Sequence, residues 1–341
     1  MSSNPLKNIL SPLSSLLPVE KLWSSTDRRM VFPFWHAVSD TPPAHLSQLY
    51  RVSSVATFES DLDFFLKNYK PASVGEVCRS AQSGEKTERL FFPSFDDGLV
   101  ECYQVIAPLL KRKGIQAAFF INPSFVDNKT LFHRHKSSLI LETLQRHPPT
   151  PEQVKEAEWL VIQGNQATNL HQFLHRAVYT DHAVLDQVAS VFGIDFNQYL
   201  ISNQPYMTMA QIREIQADGF LIGAHSMDHR EFFRSTEEEI YAQITESMNF
   251  LVRELNPEIK TFAFPFTDFG VPDAVFEKAR QSGIVDLSFG TAGIKDETMP
   301  GHIQRIPMES EISRDGKQVL RIEYIWYYLK ILWGKNKVRR Q

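Results

Sequence analysis

Cysteine is nearly missing from this sequence. Cys78 and Cys102 are the only two, and neither belongs to a CxxC pair. A disulfide framework and a thiolate zinc site are therefore not indicated. No run of about 18 apolar residues occurs, so no membrane-spanning helix is expected. The opening stretch, MSSNPLKNILSPLSSLLPVEKLW, is broken by Pro5, Pro12 and Pro18, and no basic region leads into a continuous apolar run. It does not read as a secretory signal, and the expected location is the cytoplasm. A basic excess is absent too: 36 Lys and Arg stand against 40 Asp and Glu, a formal charge of -4. That argues against general nucleic-acid binding. What is abundant is apolar residues, 43% of 341, enough for a packed core in one large domain or two ordinary ones.

Those apolar residues cluster in short runs with helical patterns between them. Residues 30–39, 89–95, 116–122, 220–226, 261–266, 284–290 and 302–308 read as seven strands. Phe58, Leu62, Phe65, Leu66 and Tyr69 recur at helical spacing, and a helix from about Val100 to Lys113 stops at Gly114. Thr208 and Gln211 form a capping box for a helix ending at Gly219. Ser235 and Glu238 form a second, ahead of an apolar stripe of Ile240, Ile244, Met248, Leu251 and Leu255. A helix around Pro272 to Arg280 ends near Gly283. This alternation predicts an α/β fold with a mainly parallel sheet, and a closed or nearly closed barrel fits the strand count better than an open sheet. In such barrels chemistry collects at the C-terminal ends of the strands. The polar residues at those ends are His36, Asp96, Asp97, His225 and Asp268.

The predicted organisation is an N-terminal segment at 1–29, a barrel at 30–310 and a C-terminal helix at 311–341. A helical insertion interrupts the barrel at about 127–205, with a break at HPPTP (147–151). The C-terminal RIEYIWYYLKILWGKNKVRRQ mixes aromatic and basic residues. Packing on the barrel is the favoured reading, and peripheral contact with a membrane surface is the alternative.

FFPSFDDG (91–98) ends an apolar strand in two adjacent acids. Either they sit in a solvated turn, or they face a cation that offsets their repulsion. Neighbours on a strand point to opposite faces. Both acids can reach one cation only if the chain turns at Asp97, with Gly98 permitting it. AHSMDH (224–229) holds a His-x3-His pair, His225 and His229, on a helix or on a turn leaving a strand. Two imidazoles and one carboxylate suit zinc or a similar divalent ion and leave positions open, the catalytic rather than the structural pattern. Each feature alone has an ordinary explanation. At the ends of two strands of one barrel they support each other.

At these residues a resemblance emerges. SFDDG (94–98) resembles the first motif, and AHSMDH (224–229) the second, of the polysaccharide deacetylase family, also called the NodB-homology or carbohydrate esterase family 4 domain. The likeness covers roughly 30–125 and 206–308, not the insertion. It implies a distorted (β/α)7-type barrel, one divalent metal ion, most often zinc, and metal-assisted removal of acetyl groups from N-acetylated sugars of a polysaccharide or glycan precursor. By position it implies Asp96 as general base and Asp97, His225 and His229 as metal ligands. The family's third motif usually carries an arginine that braces the base. Here FAFPF (262–266) has Ala263 at that place, and Arg305 on the last strand is the candidate replacement, a plain surface or helix-pairing arginine being the equal alternative. FPFWHAVSD (32–40) resembles the start of circularly permuted members, whose acid histidine comes from the first strand. His36 is thus the expected acid, and a structural histidine beside Trp35 the alternative.

Pro265 and Phe266 are expected along the substrate groove and Asp268 as a supporting group, with core packing explaining the aromatics nearly as well. His133, His135, His171, His175 and His182 are expected on solvated helix faces of the insertion, a second metal site there being the less favoured alternative. The expected partner is a carbohydrate. Two other readings stay open: cleavage of an O-acetyl ester or another acyl amide at the same metal, and a non-catalytic carbohydrate-binding protein on a decayed barrel.

Overall fold

In the computed structural model, residues 30–83, 88–164, 169–309 and 315–340 are described, and the predicted segment 1–29 lies outside them. Eleven short strands follow in chain order: β1 (Met30–Val31), β2 (Pro33–Trp35), β3 (Lys70–Pro71), β4 (Leu90–Phe91), β5 (Ser94–Phe95), β6 (Ala118–Ile121), β7 (Leu221–Ala224), β8 (Thr261–Ala263), β9 (Leu287–Gly290), β10 (His302–Gln304) and β11 (Ile306–Pro307). Eight of them form one parallel sheet, in the order β10-β9-β8-β7-β6-β5-β2-β11. Three form a small parallel sheet, β1-β4-β3.

The two ends of the large sheet belong to one stretch of chain. His302–Gln304 pair with β9, and Ile306–Pro307 pair with β2. The partner switches at Arg305, whose N–H donates to the Gly290 carbonyl (3.2 Å), while the next N–H, of Ile306, donates to Phe32 (2.8 Å). The sheet is thereby an eight-stranded, nearly closed barrel, as expected. Prolines explain why predicted single strands appear as pairs. Pro93 lacks an N–H and interrupts 89–95, and Pro33 opens β2.

Strand alternation sorts the core. Trp35, Phe95, Phe119, Ile222 and Phe262 face the helices. Ala118, Phe120, Ala263 and Phe289 occupy the opposite face. Both faces are buried, as parallel sheets require. On the helix side, Trp35 stacks on Phe95 (5.8 Å between centroids) and Phe95 on Phe119 (5.1 Å).

The helices around the sheet are α1 (Val55–Asn68), α2 (Val74–Ser83), α3 (Ala107–Lys113), α9 (Met209–Ala217), α10 (Glu237–Leu255), α11 (Asp273–Gln281) and α12 (Gly316–Leu332). Between β6 and β7 the chain forms α4 (His133–Arg146), α5 (Pro151–Gly164), α6 (Leu170–Arg176), α7 (His182–Val191) and α8 (Phe196–Asn203). These five pack on their own core, including Ile140, Val161, Leu174, Leu185 and Val188. The Thr208–Gln211 capping box is present. The second box is not Ser235–Glu238 but Thr236–Glu239. The Ser235 hydroxyl donates to the Glu231 carbonyl (3.2 Å), and it is the Thr236 hydroxyl that accepts the Glu239 N–H (3.3 Å). Helix α12 buries Leu320, Tyr324 and Tyr327 and docks on α1, where the Asp61 carboxylate accepts the Gly316 N–H (2.8 Å). Leu332 and Trp333 at its end stay exposed. Among the described residues no helix is long and apolar enough to cross a membrane.

Candidate active site

The Asp96 N–H donates to Trp35 (3.0 Å), so β5 still follows β2 at that residue. Asp97 and Gly98 then both enter the left-handed region, at φ +71° and +65°. The strand turns where two acids on one side require it. Asp97 holds a conformation that an L-residue adopts only at a cost of about 1 kcal/mol or more. Gly98 lies so near β6 that an added Cβ would stand 3.2 Å from Ile121.

His225 follows β7 and continues its ladder, donating its N–H to Ile121 (2.8 Å). The histidine pair occupies a turn, not a helix. Ser226 and His229 have φ of +64° and +56°, and the Ser226 hydroxyl accepts the His229 N–H (3.0 Å). Asn122, just past β6, donates to the carbonyls of both His225 and Ser226. His225 Nδ1–H donates to Ala263 (2.8 Å), which leaves Nε2 as a free lone pair facing the acids. That nitrogen lies 3.6 Å from Asp97 Oδ1 and 3.8 Å from Asp96 Oδ2, and His229 Nε2 lies 3.1 Å from Asp97 Oδ1.

Asp97, His225 and His229 are buried, with ligand atoms within 4.8 Å of one another. Asp97 Oδ1 has no hydrogen-bond partner among the described residues, and neither has His229 Nδ1. An orphaned buried carboxylate oxygen between two imidazole nitrogens is a donor set that a divalent cation completes. Burial pushes His225 down to about 4, so its ring is neutral, as a ligand must be. Burial alone would raise Asp97, but His229, His36 and His225 outweigh it and hold the carboxyl far below its ordinary range.

Arg305 grips Asp96 with two nitrogens, at 2.7 and 2.8 Å, and also reaches Ser94 Oγ (3.0 Å). The guanidinium is fully buried and lies over the Phe34 ring at 4.4 Å. Burial would raise the Asp96 carboxyl; Arg305 and His225 prevail and keep it below its ordinary value. Arg305 is thus no surface arginine.

His36 leaves β2 against Glu309, just past β11. Its Nδ1 contacts one carboxylate oxygen, and the other accepts the N–H groups of His36 (2.8 Å) and Ala37 (3.2 Å). Burial opposes a charge there, but Glu309, with Asp97 and Asp96, raises His36 to about 9. Its ring stacks on Tyr50 at 4.8 Å.

Phe266, at φ +58°, sets its ring 4.5 Å from that of His229, and Pro265 is buried beside it. Asp268 does not join the group. Past the turn at Phe266 it runs to β10, where it meets His302 Nε2 (3.1 Å), Gln304 Nε2 (2.7 Å) and Arg340 (3.0 Å). It lies against Gly290, whose carbonyl accepts from Arg305 Nε; a Cβ on Gly290 would stand 2.6 Å from the Asp268 carboxyl.

Two features escaped sequence reasoning. Glu309 sits in no motif, and only the barrel's closure brings it to His36. His133 and His135, expected in solvent, are fully buried. The first turn of α4 enters the site: Phe132 packs 4.5 Å from His229, and His133 Nε2 meets Glu231 (3.0 Å). The uncharged run SSLIL (137–141) was the available signal that this helix is buried. His171 and His175 do lie on an exposed face.

The nearly closed parallel barrel is a fold shared with solved NodB-like deacetylases. Residues 180–285 match the family model "Polysaccharide deacetylase", a span that includes the histidine turn and leaves the paired acids outside. The matched stretch is thus similar to the polysaccharide deacetylase family, and the solved structures below share the fold of the chain. No curated protein matches the sequence. In fold the chain is similar to the Streptococcus pyogenes deacetylase PplD, solved in complex with acetate, at 13% identity and a TM-score of 0.56, covering 87% of this chain and 99% of that one. It is similar to IcaB from Ammonifex degensii, at 17% identity and a TM-score of 0.53, covering 86% and 97%. A polysaccharide deacetylase described as putative, BA0330 from Bacillus anthracis, aligns at 14% identity and a TM-score of 0.51, covering 86% and 68%.

Proposed function

We propose that this chain is a divalent-metal-dependent hydrolase that removes acetyl groups from N-acetylated sugars. One observation carries the reading: Asp96, clamped by Arg305, stands beside the Asp97–His225–His229 cluster. A cation held by those three residues, zinc by the chemistry of the set, would polarise the acetyl carbonyl and acidify a water. Asp96, kept ionised by Arg305, accepts the proton of the attacking water. Arg305 supplies from the last strand the brace that Ala263 lacks. His36, held protonated by Glu309, delivers a proton to the departing amine. Phe266 and Phe132 shield His229 and exclude water.

Acetate, which the PplD structure contains, is the product such a reaction releases. The test is acetate release from N-acetylhexosamines, with O-acetylated sugars assayed alongside, before and after chelation. Release that a chelator abolishes and zinc restores is expected. Equal release by Asp96→Asn would remove Asp96 from its role, and turnover of the esters alone would reassign the bond.

A further inference from the structure

The C-terminal end of the chain divides into a docked part and an outward part. Helix α12 buries Leu320, Tyr324 and Tyr327, but its last turn does not follow them. Ile331 is 44%, Leu332 79% and Trp333 51% exposed, three apolar residues in a row. The Trp333 ring packs edge-on against Trp326, at 5.7 Å between centroids, so the two indoles sit together at the helix end. A contiguous exposed apolar patch, unlike a single exposed leucine, marks a surface that something covers.

The chain behind the helix says what covers it. After Gly334, at φ +64°, exposure alternates: Lys335, Lys337 and Arg339 are exposed, and Asn336, Val338 and Arg340 are turned inward. The inward residues pin the tail. The Asp296 N–H donates to the Asn336 carbonyl (2.7 Å), and the Val338 N–H donates to the Asp296 carbonyl (2.9 Å). Asn336 Nδ2 donates to the Asp296 carboxylate (2.6 Å), and Arg340 reaches Glu297 (2.8 Å) and Asp268 (3.0 Å). The nearby acids are thus taken, and among the described residues Lys335, Lys337 and Arg339 have no carboxylate partner. Phe269, next to the Asp268 that holds the tail, is 76% exposed. Three unpaired cations are therefore fixed beside an apolar, aromatic helix end. That pairing fits the boundary of an anionic bilayer, where Trp and Leu enter the headgroup layer and Lys and Arg meet lipid phosphates. A projecting helix end inserts its own side chains, whereas a groove would receive those of a protein partner. The chain as a whole carries a formal charge of -4, so attraction to an anionic surface has to be local.

We propose that the end of α12 and the tail behind it form a peripheral docking surface for an anionic phospholipid bilayer. Ile331, Leu332 and Trp333 enter the interface, and Lys335, Lys337 and Arg339 bind lipid phosphates. Arg340 ties this surface, through Asp268, to the loop after β8 that also carries Phe266 of the candidate active site.

The test is cosedimentation of the full chain with phosphatidylcholine vesicles, with and without phosphatidylglycerol. Binding is expected on the anionic vesicles alone, and it should weaken as salt is added. Replacing Lys335, Lys337 and Arg339 together by Gln should lower the partition coefficient about 100-fold, as three basic residues near an anionic surface imply. Leu332→Ser with Trp333→Ser should lower it at least about tenfold. All five side chains are exposed, so both variants are expected to keep the wild-type thermal unfolding curve. In the wild type, brominated lipid should quench tryptophan emission, and Trp333→Phe should remove most of that quenching. No binding to anionic vesicles overturns the surface, as does wild-type binding by both variants, which would place the contact elsewhere in the chain. Binding lost with the three cations but unchanged without Leu332 and Trp333 would mark a surface for an acidic macromolecule in place of a bilayer, and also overturns it.

Discussion

Arg305 holds both oxygens of Asp96, at 2.7 and 2.8 Å, from the one residue at which the barrel's two edge strands meet. The clamp on the candidate base and the closure of the fold are therefore a single structural event. The buried arginine has no other carboxylate among its hydrogen-bond partners in the described residues, and Asp96 no other cationic side chain within hydrogen-bond distance.

Substitutions at Arg305 should separate its two duties. Arg305→Lys keeps the charge and loses the bidentate geometry. It is expected to fold and to lower kcat by about 100-fold, within the range of a misplaced general base. The acid limb of its pH–rate profile should move upward, because Asp96 loses the partner that holds its pKa down. Arg305→Ala leaves a buried carboxylate alone and should cost roughly 3–5 kcal/mol in denaturant unfolding. A Lys variant with wild-type kcat would remove Arg305 from the chemistry.

Metal content checks the cluster directly. Elemental analysis of the purified chain should find one divalent ion. Asp97→Asn and His225→Ala should each lower affinity at least about 100-fold, because three ligands cannot spare one. Stoichiometric metal retained at unchanged affinity in both variants would place the ion elsewhere.

Glu309 controls His36. In Glu309→Gln the carboxylate partner is gone and burial is opposed only by Asp97 and Asp96, so the His36 pKa should fall from about 9. The folded pKa of His36 is raised above the unfolded 6.5. Its stabilising share is thus full below pH 6.5 and lost as pH rises through about 9. The stability gap between wild type and Glu309→Gln should follow that course, with imidazole NMR reporting the titration. A gap independent of pH would contradict the pairing.

Asp61 predicts the opposite of ordinary carboxylate behaviour. Burial lifts it to about 7, against the opposing Gly316 N–H. Because the folded pKa exceeds the unfolded 3.8, the folded chain is favoured at low pH and loses stability as pH rises toward 7. Three units correspond to about 4 kcal/mol. Asp61→Asn, which can still accept the Gly316 N–H, should be more stable than wild type at pH 8 and equal to it near pH 4. Equal stability at pH 8 would show that α12 does not bury this carboxyl.

The parallel barrel was legible in the sequence because strand and helix periods are local properties. The left-handed turn at Asp97 could be reasoned out as well, since alternation along a strand conflicts with two acids facing one side. The capping box fell one residue off, because Ser235 and Thr236 are chemically alike and only the folded backbone shows which of them opens α10. Asp268, at a strand end like the others, went to a different network, because the turn at Phe266 redirects the chain.

By itself the sequence determined the motif residues, Asp96, Asp97, His225 and His229, and the elements that present them. Tertiary structure alone decided their company. Glu309 lies 273 positions from His36, and Arg305 lies 209 from Asp96. His133 and His135 left solvent only because α4 folds onto the site. The reason is physical. A period or a cap is set by neighbours along the chain, whereas a buried charge takes its partner from whatever the closed barrel brings within about 3 Å, and no local pattern encodes that approach.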